Sequence, residues 1–243
     1  MAWSVGVEAG LLVLVSLVVP VVPALAYESV SVAGGATIQG KISFTGNPPA
    51  PRKVIPTKDR ETCGSGVREV EQVLLSPDKS VQDAVVFLKK VEKGKAWQTP
   101  AKTPALENLK CDFTPHVQVI PAGSDLEIVN SDPVLHNTHG FLDKLTVFNL
   151  AMPNQDQRIK KPLKRPGIVR VECDAHGWML AWVYVADNPY YAVTPKDGTF
   201  TIKDVPPGTY TLVAWQEYAG IVERPVTVKP KEVVNVSIDL SKK

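Results

Sequence analysis

The chain has 243 residues, of which 44% are hydrophobic and 21% charged, with a formal net charge of +2. This is ordinary globular composition, long enough for one or two small domains, and its near-neutral balance gives no reason to expect a nucleic-acid partner.

Residues 1–26 stand apart from the rest. Leu11 to Val22 is almost entirely aliphatic, and Ala24-Leu25-Ala26 supplies a small-x-small pattern before Tyr27. The apolar run is short and broken by Pro20 and Pro23, so it reads as a cleaved signal peptide that leaves no stable membrane span. Its n-region carries Glu8 and no Lys or Arg, which keeps an uncleaved N-terminal anchor as the alternative. Removing Glu8 with the segment raises the net charge by one. The expected location is periplasmic or secreted. In that oxidising setting the three cysteines, Cys63, Cys111 and Cys173, imply one pair and one thiol with another task, and three pairings are open.

Ala36 to Phe44 alternates apolar and polar residues and predicts a half-buried strand. The Pro-rich stretch from Asn47 leads away from it, strand character returns around Val70 to Leu75, and Val81 to Leu88 reads as a buried β run. Lys89 to Lys110 is polar, contains Pro100 and Pro104, and is expected to be a loop or linker. Phe113 to Ile120 and Leu126 to Asn130 form two strands around a Gly-containing turn and lead to Asn130, Asp132 and His136. Met152 to Gly167 is expected to be a long loop. Its bases Arg158, Lys160, Lys161, Lys164 and Arg165 serve either to dock an acidic partner or simply to solvate the loop.

Val169, Val171 and Cys173 share one face of a strand, with Arg170 and Glu172 on the other. His176 and Met179 follow at intervals of three before a new apolar run begins. A thiolate, an imidazole and a thioether on one short strand-to-strand loop form a soft donor set, and soft sulfur with imidazole selects copper. His136 is the natural second imidazole, giving His136, Cys173, His176 and Met179 as metal ligands. His176 is expected nearer the surface, where it would pass electrons. Two other histidines are weaker candidates: His139 as a ligand or second-layer residue, and His116 on a strand. Trp178 serves as a shield, a docking patch or a core aromatic.

Cys173-x-x-His176-x-x-Met179 with the His136-Asn137 pair resembles the cupredoxin ligand set, and its short last loop is similar to that of amicyanin. The resemblance implies a type 1 (blue) copper site engaged in electron transfer with a redox partner such as a cytochrome c or an oxidoreductase. That reading requires Cys63 to pair with Cys111, leaving Cys173 free. Many cupredoxins carry Ser or Thr after the Cys where this chain has Asp174, a carboxylate expected to lower the potential.

From Tyr190 onward, the Asp197-Gly198 and Pro207-Gly208 turns and the alternation from Val234 to Leu240 resemble the second half of a carboxypeptidase regulatory-like (transthyretin-like) sandwich. Ala36–Phe44 and 81–88 resemble its first half. Few helical periods appear anywhere, so an all-β chain of two sandwiches is expected. The expected organisation is a signal peptide at 1–26 and, as the resemblance implies, a cupredoxin-like Greek-key module at 110–187 inserted between sandwich halves at 27–109 and 188–243. No Ser-His-Asp order, phosphate-cradling Gly loop, paired-carboxylate or HExxH motif occurs, so no enzymatic activity is expected. Copper storage or delivery, and a structural or adhesive protein with a vestigial metal set, are the competing functions.

Overall fold

The computed structural model describes Met1 and residues 27–242, so residues 2–26 of the expected signal peptide lie outside the described residues. The described chain is nearly all β, with one four-residue helix, Arg60–Cys63. Among the described residues no helix is long and apolar enough to cross a membrane.

Four sheets form two sandwiches. The first pairs a four-stranded sheet (Gln157–Pro162, Asp125–Asn130, Ala105–Leu109, Asp112–Thr114) with a five-stranded one (Leu145–Met152, His136–Leu142, Gly167–Cys173, Leu180–Ala186, Val117–Pro121). Leu106, Ile120, Ile128, Val171 and Val183 fill the space between them. The second combines Tyr191–Val193, Val85–Lys89, Gly208–Gln216 and Gly220–Val228 with a three-stranded sheet of Thr199–Val205, Ala36–Phe44 and Val233–Leu240. Strands from before residue 90 thus pair with strands after residue 190, and the first sandwich is formed by the chain between them.

The two sandwiches stack face to face, and the period-2 geometry of β-strands explains how. Along Leu180–Ala186, Ala181, Val183 and Val185 point into the first core, whereas Tyr184 and Ala186 point at the second sandwich, with Trp182 packed against the same layer. Along Val85–Lys89, Val86 and Leu88 enter the second core while Val85 and Phe87 meet the first sandwich. Along Gly208–Gln216, Leu212 and Ala214 divide from Val213 and Trp215 in the same way. The apolar runs in these segments reflect sheets buried on both faces. Phe87 stacks on Tyr184 with ring centroids 4.4 Å apart, and Trp182 meets Trp215 edge-on at 5.0 Å. At the rim, Glu217 accepts from Trp182 Nε1 at 2.5 Å and from His116 Nε2 at 2.8 Å, while His116 Nδ1 donates to the Leu180 carbonyl at 3.0 Å. Both His116 nitrogens face acceptors, so the geometry calls for the doubly protonated ring. Burial alone would lower the His116 pKa, but the Glu217 carboxylate outweighs it and the value is raised.

Three local expectations are corrected. The segment 89–110 is not a plain loop: Ala105–Leu109 pairs with Asp125–Asn130 and Asp112–Thr114, ahead of the expected module boundary at 110. Its inward residues are Leu106 and the polar Asn108, which hides the hydrophobic period. Asn108 is satisfied there by the Val129 carbonyl at 2.9 Å. Within 152–167, Gln157–Pro162 is an edge strand against Asp125–Asn130, and Arg158 pairs with Glu127 at 2.9 Å. Alternating bases on an exposed edge look like a loop in sequence but are a common way to protect such an edge from further pairing. Between Val70 and Leu75 the chain has only the end of a short strand, Arg68–Val70, and an isolated bridge from Leu75 to Val81.

Truncating Phe87 to Ala removes the stacked ring from the layer between the sandwiches. The expected cost is about 3 kcal/mol of unfolding free energy, measurable by chemical denaturation, with the far-ultraviolet circular dichroism unchanged.

Candidate metal centre

The central ligand strand, Gly167–Cys173, runs between His136–Leu142 and Leu180–Ala186. Its alternation turns Val169, Val171 and Cys173 inward. Thr138 is the direct cross-strand partner of Cys173, which brings the start of the neighbouring strand, His136 and Asn137, alongside the sulfur. Residues 174–179 then loop back to Leu180, and the Met179 backbone N–H bonds the His176 carbonyl at 3.0 Å. Three of the four expected ligands converge as a result. Cys173 Sγ lies 3.7 Å from Nδ1 of His136 and 3.7 Å from Nδ1 of His176, and the two Nδ1 atoms are 3.1 Å apart. All three residues are buried, and Cys173 is the free cysteine.

Bonds of about 2.0 Å to nitrogen and about 2.3 Å to sulfur put trigonal N–N and N–S pairs about 3.5 Å and about 3.7 Å apart. The spacing and chemistry of these three donors therefore fit one soft ion shared by a thiolate and two imidazoles. Met179, only 2% exposed, is buried in the same core, next to the loop that carries His176.

Each imidazole is oriented by a carboxylate on its far nitrogen. Asp132 accepts from His136 Nε2 at 2.9 Å, and Asp59 is 2.9 Å from His176 Nε2. Such partners fix which ring nitrogen is free to bind a metal and keep the ring in place. Asp132 also accepts the backbone N–H groups of Lys110 at 2.7 Å and Cys111 at 2.8 Å. The sequence names Asp132 as a neighbour of His136 but gives it no role, and nothing in it points to Asp59, which lies far upstream in a Pro-rich excursion. The link is covalent: Cys63 and Cys111 form a disulfide that ties the Asp59–Cys63 segment to the strand ends around the site. Closing a loop of 48 residues contributes roughly 4 kcal/mol in chain-entropy terms.

This arrangement overturns one expectation. His176 does not approach the surface; its exposure is 0%, because Asp59 and the disulfide cover the edge that faces outward in the expected picture. Trp178 packs at 5.1 Å from the His176 ring, donates Nε1–H to the Cys111 carbonyl at 3.0 Å and lines an open groove of about 560 Å³ with Glu69, Asp112 and His116. His139 does not join the donor set. It lies on the outer face, 3.2 Å from Asp174 and 3.0 Å from the Thr146 hydroxyl, with its ring against Phe141. His116 is committed to the rim between the sandwiches, as described above.

Residues 168–236 match the family described as polysaccharide lyase family 4, domain II. That match runs from the ligand strand through most of the second sandwich. No curated protein matches the chain. Among solved structures, the chain is similar to a purple cupredoxin from Nitrosopumilus maritimus, at 21% identity over 34% of this chain and 99% of that one, with a TM-score of 0.31. It is similar to amicyanin from Paracoccus versutus at 23% identity over 43% of this chain and all of that one, with a TM-score of 0.32. The likeness to a copper-containing nitrite reductase from Thermus scotoductus SA-01 is 20% over 37% of this chain, with a TM-score of 0.31, and covers 24% of the reductase.

Burial by itself would raise the Cys173 thiol, but hydrogen bonds from His136, His176 and the Asn137 N–H pull its pKa down to about 6 from an ordinary 9.0. Burial disfavours the charged form of His176, yet its contacts with Cys173 and Asp59 raise it. The two shifts reinforce one another as a thiolate beside an imidazolium. In metal-free protein, the ultraviolet thiolate absorbance that is lost in Cys173→Ser is expected to titrate with a midpoint near pH 6. A folded-state value below the unfolded one means that the thiolate's contribution to stability is complete above the ordinary thiol range. It declines as the pH falls and is gone below about 6. Denaturation of the native chain and Cys173→Ser across that window measures the slope.

Proposed function

We propose that this chain is an exported type 1 copper protein that transfers electrons, built from a cupredoxin-like sandwich resting on a carboxypeptidase regulatory-like one. The observation that carries the reading is the convergence of His136 Nδ1, Cys173 Sγ and His176 Nδ1 in a buried, sulfur-containing set. His136, Cys173 and His176 would hold the ion, with Met179 as the weak fourth ligand, and copper bound there would supply one-electron chemistry.

The chain's own groups prepare the site for that task. Asp132 and Asp59 lock the imidazoles, and the Asn137 N–H, 3.4 Å from Cys173 Sγ, stabilises the thiolate. A donor set held by strands and carboxylates resists rearrangement between oxidation states, which favours electron transfer over chemistry on a bound substrate. With His176 covered, the route to a partner runs through Trp178 and the groove it lines. The carboxylates Glu69, Glu71, Asp83 and Asp112 on that groove favour a basic docking face. The disulfide and the pattern of residues 1–26 support a periplasmic or secreted location.

The competing reading, copper delivery, calls for a more open site than this one, in which Asp59 and the disulfide cover His176. The first experiment is visible absorption and EPR after Cu(II) loading. An intense sulfur-to-copper charge-transfer band with narrow hyperfine splitting is expected, absent in Cys173→Ser, with the metal retained against an excess of chelator. A colourless protein that yields its copper to the chelator supports delivery and overturns the electron-transfer reading.

A further inference from the structure

The structural disulfide lies unusually close to the donor set. Cys63 Sγ, Cys111 Sγ and a ring nitrogen of His176 all fall within 4.8 Å of one another, and Cys111 also falls within 4.8 Å of donor atoms on Asp132 and His136. All five residues are buried, and Asp59 brings a carboxylate oxygen to 2.9 Å from His176 Nε2. As a disulfide the two sulfurs are poor ligands; as thiolates they are strong ones for soft cations.

We propose that Cys63, Cys111 and His176 form a second, redox-controlled site for a soft monovalent cation, Cu(I), which exists only when the disulfide is reduced. The reductant is a dithiol. It gives two electrons and two protons to the Cys63–Cys111 bond, which breaks to two thiols, while the dithiol closes to its own disulfide. Binding of Cu(I) then displaces the thiol protons, and His176 supplies nitrogen.

The surroundings keep these groups together after the bond opens. Arg68 donates to the Cys63 carbonyl at 3.0 Å and to the Lys110 carbonyl at 3.1 Å, bridging the two cysteine-bearing segments without the sulfurs, and it also pairs with Asp112. Trp178 and Asp132 hold the carbonyl and N–H of Cys111. Reduction thus produces two thiols held close together, with a ring nitrogen of His176 within 4.8 Å of both sulfurs. The two sites share His176, so an ion at one weakens the other. The inference does not rest on the electron-transfer reading, and it is tested with Cys173 removed.

The experiment uses the full mature chain carrying Cys173→Ser, in which Cys63 and Cys111 are the remaining cysteines. Oxidised protein and protein reduced with dithiothreitol, then freed of reductant anaerobically, are titrated with Cu(I) against a competing chromogenic chelator. The reduced protein is expected to take up about one Cu(I) per chain with new ultraviolet thiolate-to-metal absorption, and the oxidised protein none. Adding His176→Asn to the same chain keeps both cysteines and should weaken uptake by about tenfold or more. Equal uptake by both redox forms, no uptake after reduction, uptake insensitive to His176→Asn, or loss of the β circular dichroism on reduction each overturns the proposal. Absence of a blue spectrum in the native chain bears on the electron-transfer reading and leaves this result unaffected.

Discussion

The architecture of the centre depends on one buried carboxylate. Asp132 receives the N–H groups of Lys110 and Cys111 on one side and the His136 ring on the other, while its own N–H is held by Asn130 Oδ1 at 3.0 Å. A buried carboxylate is costly unless its lone pairs are met, and here three donors meet them. The same bonds fix the His136 ring, the turn bearing Cys111 and, through the disulfide, the segment that presents Asp59 to His176. Both imidazoles are therefore set by carboxylates that are mechanically connected.

Stacking of the sandwiches supplies the second constraint. The strand that carries Cys173 and its neighbour, Leu180–Ala186, lie in a sheet with the core around the three donors on one side and the Phe87, Tyr184, Trp182 and Trp215 layer on the other. The attached sandwich covers an apolar face that would otherwise be exposed, and Glu217 satisfies the polar tips of Trp182 and His116 at its border. The second sandwich completes the burial of the first sheet.

How much of this was legible in the sequence varied with the physics of each segment. The three convergent donors were readable because alternation put Cys173 inward and a short loop brought His176 back, so local geometry settled their neighbourhood. The all-β class was readable for the same reason. Ala105–Leu109 was hidden because a polar Asn108 occupies an inward position, and Gln157–Pro162 because its outward residues are bases on an exposed edge. Asp59 could not be found by any periodicity. It reaches the centre on the segment tied down by the Cys63–Cys111 bond, one of three pairings the sequence allowed, and by Arg68, and it shares with that bond in the burial of His176.

The centre has two unequal walls. On one side His136 and Cys173 stand on strands of a sheet packed between two layers, and the 174–179 loop is anchored at both ends in one core by Cys173 and Met179. On the other side the cover is a four-residue helix held by a sulfur–sulfur bond, Arg68 and a carboxylate. In the proposed copper protein the stiff wall would confine nuclear motion during a one-electron change. Exchange of a bound ion would proceed through the weak wall, so speed of turnover and permanence of loading would be governed by different halves of the same cavity.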